Sequence, residues 1–183
     1  MDTDVITLIT KDHRTVEGLF ERLNKKEGDQ HATVVELHAL LIAHARAEED
    51  EVYPDIDAHH SLEEHKEAEI LLDALVRAEP GTKEFDRALN KLIKSVNHHV
   101  REEEKRILPA MAESVSTKRL QDLGKAFKKR RAEELDALTP KGRPAHGPTK
   151  AELYEQAQKA DIPGRSRMGK EELVQALRSA KPS

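Results

Sequence analysis

An eleven-residue stretch occurs twice in this 183-residue chain: residues 44–54 read HARAEEDEVYP and residues 99–109 read HVREEEKRILP. Five of the eleven positions agree, pairing His44 with His99, Arg46 with Arg101, Glu48 with Glu103, Glu49 with Glu104 and Pro54 with Pro109. Counting back three, seven and ten residues from each His gives Leu41, Leu37 and Val34 in one copy and Val96, Leu92 and Leu89 in the other. Steps of three and four define the apolar row of an amphipathic helix. A His and the Glu four residues after it project from that same row. A carboxylate on a buried face is costly unless it is paired or bound to a cation, so the repeat predicts two helices that point a His/Glu pair at a shared interior.

Two further helices supply an inward His each. Capped by Thr3 or Asp4, the first runs to about Lys26 with Ile6, Ile9, Val16, Phe20 and Leu23 on one face and His13 in the same row. The capping box Ser61-Leu62-Glu63-Glu64 predicts another from Ser61 to about Ala78, with Leu62, His65, Glu69, Leu72 and Val76 inward. The first repeat copy rides on a helix from about His31 or Thr33 to Pro54. The second follows the turn at Glu79-Pro80-Gly81-Thr82, its row being Phe85, Leu89, Leu92, Val96, His99, Glu103 and Ile107. His31, His38, His59, His60 and His98 fall off these rows and read as solvated.

The expected fold is therefore all-α: an up-and-down four-helix bundle over residues 1–138, including a fifth helix from about 116 to 138 with Leu120, Leu123, Phe127, Leu135 and Leu138. Residues 139–148, TPKGRPAHGP, read as a linker. Residues 149–183 form a small two-helix module, opened by the capping box Thr149-Lys150-Ala151-Glu152. Only 3% of residues are aromatic and 36% are charged, which suits long solvated helices.

With no Cys, thiolate catalysis and Cys-based zinc or iron–sulfur sites are excluded, so any metal must rest on His and carboxylate. No apolar run approaches a membrane span and no signal pattern opens the chain, which sets the expectation of a cytoplasmic protein. Residues 1–117 carry 15 Lys/Arg against 26 Asp/Glu, whereas residues 118–183 carry 16 against 9. An acidic head and a basic tail imply different partners for each.

Imidazole with carboxylate suits iron, manganese or zinc rather than magnesium or calcium. Four inward His and two inward Glu exceed what one ion uses. Two ions, each with its own His ligands and bridged by Glu48 and Glu103, account for all six.

Asp12-His13-Arg14, HARAEEDEVYP, EEHKEAE around His65, and HVREEEKRILP together resemble the hemerythrin-like, or HHE cation-binding, domain over roughly residues 1–115. The resemblance implies a four-helix bundle with a non-heme centre of two iron ions. One would be held by His13 and His44 and the other by His65 and His99, with Glu48 and Glu103 bridging. Oxygen-carrying hemerythrins have His-x-x-x-His on the third helix, where this chain has His65-x-x-x-Glu69. Two roles are open to Glu69: a carboxylate ligand replacing the imidazole, or an unbound hydrogen-bonding neighbour. Expected chemistry is decomposition of hydrogen peroxide, or binding of dioxygen or nitric oxide; the alternative is a non-enzymatic sensor or regulator. TKAELYEQAQKADIPGRSRMGKEELVQAL is similar to helical modules of the SAP-like and Rho N-terminal type, which often bind nucleic acid. Lys128, Lys129, Arg130, Arg131, Arg165 and Arg167 are the candidate contacts.

Overall fold

A computed structural model describes residues 3–56, 59–138, 150–160, 162, 165 and 168–179. All of its regular structure is helical. Helix α1 spans Val5–Asn24, α2 Gln30–Glu51, α3 His59–Arg77 and α4 Lys83–Glu102; a single 3-10 turn, Tyr53–Asp55, lies between α2 and α3. A π-helical segment, Glu103–Ile107, leads from α4 into α5, Leu108–Ser114, and α6 spans Thr117–Leu138. Contacts divide the chain into residues 1–138 and residues 139–183; the second unit holds α7, Lys150–Lys159, and α8, Lys170–Ser179. The expected linker and Thr149 lie outside the described residues. No described helix is long and apolar enough to cross a membrane.

Local chemistry sets the helix starts. Asp4 accepts the Thr7 N–H at 2.9 Å, Asp29 that of Ala32 at 3.2 Å and Thr82 that of Phe85 at 3.2 Å, each satisfying a backbone donor that the first turn leaves unpaired. The capping box at Ser61 does not start α3, which begins at His59 and buries Ser61 inside the helix.

Two apolar clusters fill the first unit. At one end Val16, Leu19, Phe20, Leu23, Val34, Leu37, Leu72, Leu75, Phe85, Leu89 and Leu92 interlock from α1 to α4. At the other, Val5, Ile9, Ala47, Val52 and Tyr53 meet Leu108, Met111, Leu120, Leu123 and Phe127, so α5 and α6 close what four helices would leave open. Helix α6 lies along α1 and α2. Gly124 permits this approach, because a Cβ there would sit well inside contact distance of the Thr3 carbonyl oxygen. In the second unit Leu153, Ala157, Ile162 and Leu173 form a small core of their own.

The copies of the repeat part company at their prolines. After Glu51 the first copy leaves the helix into the turn containing Pro54. The second stays helical but widens to a π-turn, and the buried row after Glu103 resumes at Leu108 rather than at Ile107. Pro109 explains the widening: it has no N–H for the carbonyl four residues back, and its ring crowds that carbonyl.

Candidate metal centre

Between the two clusters four imidazoles and two carboxylates converge from α1, α2, α3, α4 and the π-segment. Glu48 is fully buried and Glu103 is 1% exposed, while His13, His44, His65 and His99 are each 3–7% exposed. His13, His44, Glu48 and Glu103 offer ligand atoms all within 4.8 Å of one another, and Glu48, His65 and His99 do the same, so Glu48 belongs to both groups.

The four histidines share one arrangement. Each turns Nδ1 to a carboxylate outside the cluster: His13 to Glu104 at 2.9 Å, His44 to Asp12 at 3.3 Å, His65 to Glu49 at 3.0 Å and His99 to Glu64 at 3.0 Å. Ionised carboxylates only accept, so Nδ1 donates in every case. The Nε2 atoms point inward, with His13 Nε2 3.2 Å from Glu103, His44 Nε2 3.2 Å from Glu48, and His65 and His99 Nε2 3.1 Å apart. A pseudo-twofold relation emerges, in which Asp12, His13, His44, Glu48 and Glu49 correspond to Glu64, His65, His99, Glu103 and Glu104.

Despite these short approaches, His13 Nε2, His44 Nε2, Glu48 Oε1 and Glu103 Oε2 have no hydrogen-bond partner. Buried polar atoms left so cost roughly 1–3 kcal/mol each, more when charged. These atoms cluster within 4.8 Å of one another without bonding to one another, and imidazoles held by carboxylates through the far nitrogen are how proteins orient metal-ligating His. The residues therefore fit a bound cation.

Electrostatics agree with the geometry. Burial opposes charge on His44, yet Glu48 and Asp12 outweigh it and raise its pKa to about 10; His65 is raised to about 9 against burial by Glu48 and Glu49. His13 is raised in the same way, burial being overridden chiefly by Glu103. Glu48 falls well below the usual carboxylate range, since the attraction of His44 exceeds the penalty of burial. A field that holds protons on these nitrogens holds cations in their place.

Tyr53 breaks the twofold relation, standing where the second copy has Leu108. Its hydroxyl lies 3.0 Å from Glu103 Oε1, 3.2 Å from Glu48 Oε2 and 3.2 Å from His65 Nε2. Burial, Glu48 and Glu103 all push its pKa far above the ordinary phenol value, so it stays protonated. A cavity of about 40 Å3 adjoins His44, His65 and His99, walled by Leu41, Ile42, Ala68, Leu72 and Val96 with Arg46 and Glu69 also lining it.

Glu69 is not in the inward row. The buried positions of α3 are Ser61, Glu64, His65, Leu72 and Leu75, which rotates Glu69 and Val76 to the flank. Its carboxylate meets Arg46 at 3.0 Å, and it belongs to neither ligand group. His31, His60 and His98 are exposed, whereas His38 is half-buried; the His59 side chain lies outside the described set. Of the basic candidates, Arg131 holds Asp12 through two bonds of 2.6 and 2.9 Å, and Arg130 is bound to Asp50 and Glu134. Lys128 is exposed, Lys129 lies 3.8 Å from Glu133, and Arg165 donates to the Ile162 carbonyl, while Arg167 falls outside the described residues. Sequence periodicity missed Asp12, Glu49, Glu64, Glu104 and Tyr53. Glu49 and Glu104 did carry a signal, being identical between the two copies.

Residues 4–111 match the model of the hemerythrin HHE cation binding domain. The chain belongs to this family. The fold agrees: a hemerythrin HHE cation binding domain-containing protein from Mycobacterium kansasii superposes with a TM-score of 0.65 at 20% identity, covering 95% of this chain and 99% of that one. A protein of Nostoc sp. named DNA nickase is 27% identical over 136 residues, 69% of this HHE-domain chain. The chain spans 39% of that relative's length.

Proposed function

We propose that the bundle holds two iron ions and that this centre reacts with a small oxidant, hydrogen peroxide ahead of dioxygen or nitric oxide. The observation carrying the reading is the set of inward His and Glu atoms without hydrogen-bond partners, each imidazole being held from behind by a carboxylate. His13 and His44 would hold one ion and His65 and His99 the other, with Glu48 and Glu103 between them. Iron bound there supplies the reversible redox change by which two peroxides become one dioxygen and two waters.

The chain's own residues select and position the reactant. The cavity beside His65 and His99 has room for a few water-sized molecules. Its apolar wall suits dioxygen and nitric oxide, while peroxide would be held by the polar groups that also line it, His44, His65, His99, Arg46 and Glu69. Tyr53 keeps a protonated hydroxyl whose oxygen lies 3.2 Å from His65 Nε2, a proton source beside the ligand set. An oxygen-electrode assay of the iron-loaded protein tests this reading: rapid oxygen evolution from peroxide supports it, and tight nitric oxide or dioxygen binding without turnover favours the sensor.

A second reading, contact with DNA, is favoured by the Nostoc relative's name. With Arg130 and Arg131 engaged by carboxylates, Lys128, Lys129 and the second unit are what remain for phosphate contact. The full chain should then bind duplex DNA more tightly than residues 1–138, with affinity falling steeply as salt rises. Equal or absent binding by both would sink it.

A further inference from the structure

Glu64 is a carboxylate with two faces. Its Oε2 accepts the His99 Nδ1 proton at 3.0 Å, and its Oε1 lies beside two exposed imidazoles. There His60 Nε2 and His98 Nε2 each lie 3.5 Å from Oε1, and the three atoms fall within 4.8 Å of one another. We infer that His60, Glu64 and His98 form a further cation site, separate from the buried centre, that takes a divalent first-row transition ion such as zinc or cobalt.

Glu64 is 8% exposed, yet Oε1 has no hydrogen-bond partner although two imidazoles stand beside it. Charge-assisted hydrogen bonds to carboxylate run at about 2.7–2.9 Å, so 3.5 Å is too long for either His to be satisfying that oxygen directly. The same distance suits a shared ion. Donors about 2.1 Å from a tetrahedral metal lie about 3.4 Å apart, which the two His–Glu64 separations match. The donor set of two imidazoles and one carboxylate selects transition ions over magnesium or calcium.

The fold also prepares the site. His60 and Glu64 are one helical turn apart on α3, and His98 comes from the facing helix α4, which packs along α3. Glu64 is pinned by His99, so its second oxygen cannot swing away to water. His60 and His98 are exposed, their side chains at 75% and 61%, so the remaining coordination positions open to solvent. The site is therefore built to exchange its ion, unlike the enclosed centre behind it.

The test is a zinc titration by calorimetry of the iron-loaded full chain, with iron content measured before and after. The wild type is expected to bind one zinc equivalent without losing iron. His60→Ala combined with His98→Ala, which alters only exposed side chains, is expected to keep the same iron content and lose that equivalent. Absence of zinc binding by the wild type, or the same isotherm in the double variant, overturns the assignment. Loss of iron as zinc binds would show displacement at the buried centre and overturn it as well.

Discussion

Tyr53 is the residue through which the two buried carboxylates can be probed without touching a ligand. Its hydroxyl is the one proton donor that the described contacts bring to both Glu48 and Glu103. Tyr53→Phe keeps the ring and removes that donor, so the metal-free protein should lose roughly 1–3 kcal/mol in denaturant unfolding. Iron content should be unchanged, because no ligand is removed; an unaltered unfolding midpoint would mean the hydroxyl contributes nothing there. The histidines make a second prediction at this scale. A His whose folded pKa exceeds about 6.5 stabilises the fold below that pH and loses the contribution as pH rises through the folded value. For His65 and His44 those values are about 9 and about 10. The melting temperature of metal-free protein should therefore fall between pH 6.5 and 10, and bound cation, replacing those protons, should remove the fall. A flat profile in metal-free protein would contradict the electrostatic account.

At the scale of elements, α6 is the part whose role was least expected. Its basic run read as a nucleic-acid contact, but Arg131 reaches across to Asp12, and Asp12 holds His44. Phe127 packs edge-on against the His44 ring, with centroids 5.8 Å apart. Arg131→Ala should weaken cation binding by about 10–100-fold, measured by competition with a chelator, because it frees the carboxylate that orients a ligand. Unchanged affinity would confine Arg131 to the surface. Gly124→Ala should cost about 1–3 kcal/mol by forcing α6 off the start of α1, whereas Gly18→Ala, exposed on α1 with no atom near its Cβ position, should stabilise by up to about 1 kcal/mol. Equal effects at the two glycines would show that the α1–α6 approach is not tight. Helix periodicity made His13, His44, His99, Glu48 and Glu103 legible because each sits in a long apolar row. On α3 it placed His65 and Leu72 inward but chose the wrong carboxylate, since Glu64 and Glu69 flank His65 and either can be placed inward by steps of three or four. Only the packing of α3 against α4 chooses Glu64. The role of Asp12 is not legible in the sequence, because its partners His44 and Arg131 lie 32 and 119 positions away.

On the scale of the molecule, two units with separate cores carry separate expectations. Every residue proposed to hold iron lies within residues 1–138, as do the apolar clusters on either side of them. The proposed two-iron centre is the claim on which the peroxide reading depends. It is tested most directly by iron per chain in anaerobically loaded, chelator-washed wild type against His44→Ala combined with His99→Ala, with Glu69→Ala as the control. The account predicts two irons in the wild type and in Glu69→Ala, and little in the double variant, which loses one imidazole from each ion. Two irons retained in the double variant, or both lost in Glu69→Ala, would contradict it.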